Sequence, residues 1–409
     1  MSSPARYRFQ TAAIWLLALT LAAILLALTS FTTRDADSRV YITIASKLAS
    51  EPLSRWIAPQ WWGAWGMQGL FREHPIGTFI LPALLGRAGY PPGQASFVIT
   101  LAAQVASLLM LVALASRLVP PPAARSLAWT LQLLPIAFVF RIRANQEYLL
   151  LAGVLLAVVG IDRARRNPAW LAVALAGFVY ALLVKGVFAF LAPVCCALWL
   201  LATPSTPGGH RNSAWAGIAL MVAFTPFIAW EYERLYLSAT GQSFLAYYLG
   251  PRIALDGSAA GSALPFPLDK MWNAVWYLGR VAWYAAPWSP LLAAGWWIRR
   301  HEGRGTKDEG RETRDEGRGT RDEGRRGDAR WILYCTLATL STVFLVALRD
   351  TKADRYVFPA YFFAAAAGTI LALARWKGAE RWALTLDRSW PWGPVALWGV
   401  LFLSRLVLR

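Results

Sequence analysis

Two stretches of this chain, Thr11–Phe31 and Ser96–Ser116, each run 21 residues without a charged side chain. No other feature constrains the fold as strongly. A helix of about 20 apolar residues spans the roughly 30 Å hydrocarbon core of a bilayer and satisfies all its backbone hydrogen bonds internally. Further apolar runs place helices at about 95–116, 126–140, 147–161, 169–184, 187–202, 214–230, 272–298, 331–348, 356–374 and 391–408. With the first run, that makes about 11 transmembrane helices. The expectation is an all-α, polytopic integral membrane protein with a single membrane-embedded domain over residues 1–409. Its 22 tryptophans suit a protein whose indole rings anchor helix ends at the interface. Arg6 and Arg8 ahead of the first run resemble the start of a signal peptide, but the run is long, lacks a small-x-small cleavage site and precedes many more spans. It reads as a retained first helix.

Charge sets the orientation. The net charge of +18 reflects a positive-inside bias and contact with anionic headgroups rather than nucleic-acid binding, since no soluble basic domain carries it. Cys195, Cys196 and Cys335 all sit in apolar runs and have neither disulfide nor zinc spacing. The stretch Ile76–Leu85 is too short to span and reads as a helix lying at the interface; counting it as a span would put Arg163, Arg165 and Arg166 outside. The outer connections are then 32–93, 141–146, around 185, 231–271 and 349–355. Residues 304–324 are three seven-residue copies, RGTKDEG, RETRDEG and RGTRDEG, with no apolar side chain, so 301–330 is expected to be a disordered cytoplasmic loop.

Outside 301–330 the chain has only 14 acidic residues, and this topology puts 11 of them on the outer side. In the outer segment 32–93, Val40, Ile44 and Leu48 recur at helical spacing, so an amphipathic helix starts near Asp37 or Ser38. Asp37 is placed to cap it, and Asp35 adds a second carboxylate two residues earlier. Glu73 and His74 precede Pro75 at the start of the interfacial helix, where a carboxylate and an imidazole could hold a divalent metal ion or meet a phosphate. Arg141 and Arg143, ahead of Asn145-Gln146-Glu147, run against the positive-inside trend and point to an anion. Lys185 is a lone ammonium between two apolar helices, a candidate for function or for snorkelling. The last outer connection brings Arg349, Lys352 and Arg355 together before a helix.

These segments, in this order, resemble the polytopic lipid-sugar-dependent glycosyltransferases of the GT-C fold, in particular glycosyltransferase family 39, the bacterial aminoarabinose transferases and the protein O-mannosyltransferases. Asp37-Ser-Arg-Val-Tyr41-Ile-Thr-Ile-Ala45 resembles the family's Asp-Glu-x-x-Tyr-x-x-x-Ala, with Ser38 in place of Glu. Glu73-His74-Pro75-Ile76 resembles its Glu/Asp-Lys-Pro-Pro/Val, with His for Lys. Glu147 matches a second acidic position, Lys185-Gly186 a Lys-Gly pair, Pro287-Trp288 a Pro-Trp pair, and Lys352…Arg355-Tyr356…Pro359 a Lys-x-x-Arg-Tyr-x-x-Pro motif. The likeness covers residues from about 30 to 375, and the large extra periplasmic domain of some relatives is expected to be absent.

The resemblance implies transfer of a sugar from a polyprenyl-phosphate-linked donor to an acceptor at the periplasmic face of a bacterial inner membrane, with inversion. It implies Asp37, Asp35 and Glu147 as catalytic carboxylates, with Asp37 as general base. His74, Arg143, Lys185, Lys352 and Arg355 would bind the donor phosphate, Tyr41 and Tyr356 the substrate, and Glu73 is the candidate metal ligand. The partners are the lipid-linked donor and membrane lipids, acting on a monomer. The rival reading is a lipid-linked sugar transporter or flippase, which would call for a cavity open to both faces and repeated halves; no repeat of halves is visible.

Overall fold

The computed structural model describes residues 36–132, 143–204, 210–252, 267–290, 318–349 and 352–375, together with 134, 136, 137, 140 and 292. The expected spans at 11–31 and 391–408, Asp35, and the first two copies of the repeat lie outside the described residues.

Helix α1, Ala36–Ser50, buries Val40, Tyr41, Ile44 and Leu48, as the spacing predicts. Asp37 lies in its first described turn. Helix α2, Gly77–Arg87, has 11 residues. At about 16 Å it is too short to cross a bilayer, in keeping with an interfacial helix. A Cβ on Gly77 would fall 2.5 Å from the Leu183 carbonyl carbon, so only glycine lets the start of α2 press against the chain there.

The bundle follows with α3 (Pro92–Ala115), α4 (Pro121–Gln132), α5 (Glu147–Ala164), α6 (Leu171–Lys185), α7 (Leu191–Ala202) and α8 (Arg211–Thr240). Glycine and alanine let α5 and α6 approach closely: a Cβ on Gly160 would lie 2.5 Å from Ala174 N, and one on Gly177 2.7 Å from Ala157 N. Where no water drives helices together, such small-residue contacts are a main source of association. Between α6 and α7, Gly186 adopts φ +56° and a 3-10 turn covers Gly186–Phe190, breaking the helix where Lys185-Gly186 marks it in the sequence.

Helix α8 runs ten residues past its expected end at 230. Helix α9, Leu268–Tyr284, stops before the Ala286–Pro287 bond, so the long helix expected over 272–298 is interrupted there. Helix α10, Arg318–Ala347, takes in the third repeat copy, and Gly327 lies against the Leu118 carbonyl. The loop expected over 301–330 thus ends earlier than its composition suggests, because an anchored apolar helix (Trp331 and Tyr334 are fully buried) propagates into the polar sequence ahead of it. Helix α11, Phe358–Arg375, follows a 3-10 turn at Asp354–Val357 and packs on α10.

Among the described residues, Gly93–Ala115, Pro168–Ala202, Arg211–Thr240, Arg326–Ala347 and Asp354–Ala374 are long and apolar enough to cross a membrane. The chain is a multi-pass, all-helical membrane protein. One apolar core fills the bundle; a second, built on Tyr41, Ile44, Trp61, Phe71, Phe79 and Phe244, holds the segment between α1 and α2 against one end of it.

Candidate active site

The polar connections of the sequence converge at that end. Ser38 ties α1 to the connection before α5: its Oγ accepts from Ala144 N at 3.0 Å and lies 3.4 Å from Ala144 O. Asn145 organises the same connection. Its Oδ1 accepts from the backbone amides of Glu147 and Tyr148, which caps α5, while its Nδ2 donates to the carbonyls of Phe140 and Arg143. Thr78 on α2 donates to Val184 O at 3.4 Å, and Tyr248 donates to Lys185 O at 3.2 Å. A Cβ on Gly186 would meet Tyr248 Oη at 2.1 Å, so this glycine serves both the break after α6 and the approach of the tyrosine.

The result is an open cleft of about 690 Å³. Asp37, Glu73, His74, Lys185, Arg349 and Arg355 bring charge or ionisable groups to it; Tyr41, Tyr356, Trp61 and Trp65 bring aromatic faces. Three cations surround one ring: Lys185 Nζ lies 5.6 Å, the Arg349 guanidinium 4.3 Å and the Arg355 guanidinium 5.8 Å from the Tyr356 centroid. Phe188 stacks on the same ring at 6.0 Å. Arg355 is also ion-paired with Asp37, joining residues 318 positions apart in sequence. Lys185 Nζ is 3.1 Å from Glu147 Oε1, and both side chains are buried.

The expected site residues therefore divide. Asp37, Tyr41, Glu73, His74, Lys185, Arg355 and Tyr356 share the cleft. Glu147 lies behind it, buried and held by Lys185, which makes the lone ammonium of the sequence one half of an ion pair. Arg143 does not line the cleft and packs 5.7 Å from the Phe140 ring. Lys352 is exposed and outside the lining, while its neighbour Asp354 is held by Arg280 at 3.1 Å and Tyr284 at 3.0 Å. Asp35 lies outside the described residues.

His74 differs most from its expectation as a phosphate-binding cation. Burial, reinforced by the nearby Lys185, lowers its pKa to about 4, so the imidazole is neutral at physiological pH. Its Nδ1 lies 3.0 Å from Pro75 O. A carbonyl can only accept, so Nδ1 carries the proton and Nε2 presents a lone pair. That buried Nε2 has no hydrogen-bond partner among the described residues, and the ring is packed by Tyr41, Phe71 and Phe79. It is set up to accept a hydrogen bond, not to neutralise an anion.

Among the described residues no three His, Cys, Asp or Glu side chains come together as metal ligands; Glu73 and His74 alone do not form such a set. Arg349, Gln146, Trp61, Trp65 and Tyr248 line the cleft without having been given a site role from the sequence. Arg349 was legible as a member of the 349–355 cluster. The aromatic pair belongs to Trp61-Trp62-Gly63-Ala64-Trp65-Gly66, where Trp62 and Trp65 adopt φ +46° and +59° and a bridge between Gln60 and Leu70 closes the turn.

No protein-family model and no curated protein sequence matches the chain. Its fold does match solved structures. ArnT from Cupriavidus metallidurans in the apo state superposes with a TM-score of 0.59 at 14% identity, over 92% of this chain and 62% of that one. The same protein bound to undecaprenyl phosphate gives a TM-score of 0.61 at 13% identity, over 91% and 62%. The chain thus spans about 62% of the length of these structures. The likeness to the GT-C fold first suggested by short motifs holds at the level of the fold.

Proposed function

We propose that this protein is an integral-membrane glycosyltransferase that moves a sugar from a polyprenyl-phosphate donor to an acceptor at the periplasmic face of a bacterial inner membrane, with inversion. The observation that carries the proposal is the meeting of Asp37 with Lys185, Arg349 and Arg355, from separate segments, in one open cleft. The acceptor hydroxyl or amine attacks the anomeric carbon, the bond from that carbon to the phosphate oxygen breaks, and the proton passes to Asp37 as general base. The charge left on the phosphate is met by Lys185, Arg349 and Arg355, whose guanidinium and ammonium donors are already gathered around Tyr356. Donor phosphate competes with Asp37 for Arg355, so binding of the donor frees the base. Glu147 acts through Lys185, holding it in place, rather than on the substrate. His74 Nε2 accepts a hydrogen bond from a sugar hydroxyl, and Trp61 or Trp65 offers its face to the ring.

Support also comes from undecaprenyl phosphate in one structure of the same fold, and from the concentration of outer acids in the sequence. The test is transfer by purified protein from a polyprenyl-phosphate sugar, followed by mass spectrometry of lipids and envelope glycans from cells with and without the protein, which identifies sugar and acceptor. Vesicles in which the protein moves labelled lipid-sugar across the bilayer and forms no glycosylated product would replace this reading with the transporter.

A further inference from the structure

A second charged cavity lies at the other end of α5. Arg117 just after α3, Asp162 near the end of α5, Arg165 and Arg166 just beyond it, and Thr203 and Pro204 after α7 line it. Asp162 is saturated. Its Oδ2 accepts from Arg117 Nε at 3.2 Å and lies 3.1 Å from Arg117 Nη2; its Oδ1 accepts from Trp199 Nε1 at 3.1 Å and lies 3.7 Å from Arg165 Nη1. Arg165 is buried and clamped, donating to Thr203 Oγ1 at 2.9 Å and to the Pro204 carbonyl. Burial lowers its pKa against the pull of Asp162, and Arg211, Arg117 and Arg166 press it further in the same direction.

A positive-inside bias requires only that arginines stay on one side of the membrane. It gives no reason for three of them to line one cavity around one fully used carboxylate, which leaves two positive charges uncompensated among the described residues. Bringing a partly buried cation into such company is costly unless an anion joins it. The planar forks of the guanidinium groups match the paired oxygens of a phosphate.

We propose that this cavity binds a phosphate group, and its place at a helix end of a membrane bundle makes an anionic lipid headgroup the natural source. The site is separate from the donor cleft: Glu147 and Asp162 are 15 positions apart on α5, which is about 22 Å along the axis. It would fix α3, α5 and α7 to the leaflet opposite the cleft.

The test uses the purified full-length chain in nanodiscs, with bound lipid counted by native mass spectrometry for dioleoyl phosphatidylglycerol against dioleoyl phosphatidylcholine. A parallel thermal-shift arm in detergent adds inorganic phosphate alone. Arg166 is exposed, so Arg166→Gln folds; the control is Arg163→Gln, which removes a neighbouring exposed guanidinium that packs on the Trp170 ring outside the cavity. The proposal expects preference for phosphatidylglycerol, weakened about fivefold by Arg166→Gln and less than about twofold by Arg163→Gln. A rise in Tm with inorganic phosphate that Arg166→Gln abolishes, without lipid preference, would keep the site and make its ligand a soluble phosphate. Equal losses from the two variants, or no response in either arm, would overturn it.

Discussion

Helix α5 carries a buried acid near each end, and the two ends use it differently. Glu147 takes one cation, Lys185, whose ammonium also reaches the aromatic rim of an open cleft. Asp162 takes donors from Arg117, Arg165 and Trp199 and is saturated by them. The first arrangement leaves charge directed at a space where a substrate can sit. The second joins three helical segments. A buried carboxylate in a membrane helix is therefore not by itself a sign of catalysis; what matters is whether its partner has unspent donors facing a cleft.

The largest effect separates the ends by chemistry. Asp37→Asn is expected to lower transfer by about 10²–10⁴-fold while membrane insertion is retained. Asp162→Asn should leave turnover intact and lower thermal stability by about 3 kcal/mol, because the arginines it serves lose their carboxylate. Turnover measured beside a melting curve decides it, and exchanged outcomes would break the comparison.

Next in size is the Glu147–Lys185 pair. Either Glu147→Leu or Lys185→Met alone leaves a buried charge unpaired and should cost about 3–5 kcal/mol. The double variant should recover most of that stability in chemical denaturation yet remain poor in transfer, since the ammonium facing the cleft is gone. Recovery of both properties would reduce the pair to packing.

His74 should show in the pH dependence of stability. Its folded-state pKa of about 4 lies below the ordinary 6.5, so the unfolded chain binds the proton more readily. The contribution is complete above pH 6.5 and is lost as pH falls toward 4, with a total of about 3 kcal/mol. Melting curves across that window should fall more steeply for wild type than for His74→Asn. Parallel curves would show that the ring is not buried neutral. The smallest effect is expected of Lys352→Ala, which should change donor affinity less than about threefold, the usual scale for an exposed charge. A larger loss would bring Lys352 back to the cleft.

Much of this was readable in the chain. The apolar runs gave the bundle, Val40, Ile44 and Leu48 gave the buried face of α1, and Lys185-Gly186 marked a real break between helices. Tyr41, Glu73, Lys185, Arg355 and Tyr356 were found as motif positions and do share the cleft with Asp37. Pairing was not readable, because it depends on which helix ends meet. Nothing local says that Glu147 faces Lys185, that Arg355 reaches Asp37, or that Arg349 rather than Lys352 turns inward. Likewise the protonation state of His74 follows from burial between Tyr41, Phe71 and Phe79, which motif spacing cannot convey. The third repeat copy looked like loop because composition does not register the helix it adjoins.

The most direct test of the central claim is the affinity of purified protein for undecaprenyl phosphate, measured by titration in phosphatidylglycerol nanodiscs, whose headgroups keep the far cavity filled, for two double variants. Arg349→Gln/Arg355→Gln removes two cations from the cleft, and Arg117→Gln/Arg166→Gln removes two from the far end of α5. The account predicts a loss of about 100-fold for the first pair, at roughly tenfold for each charge-assisted contact, and an unchanged affinity for the second. Equal affinities for the two variants, or a loss confined to the second, would contradict it.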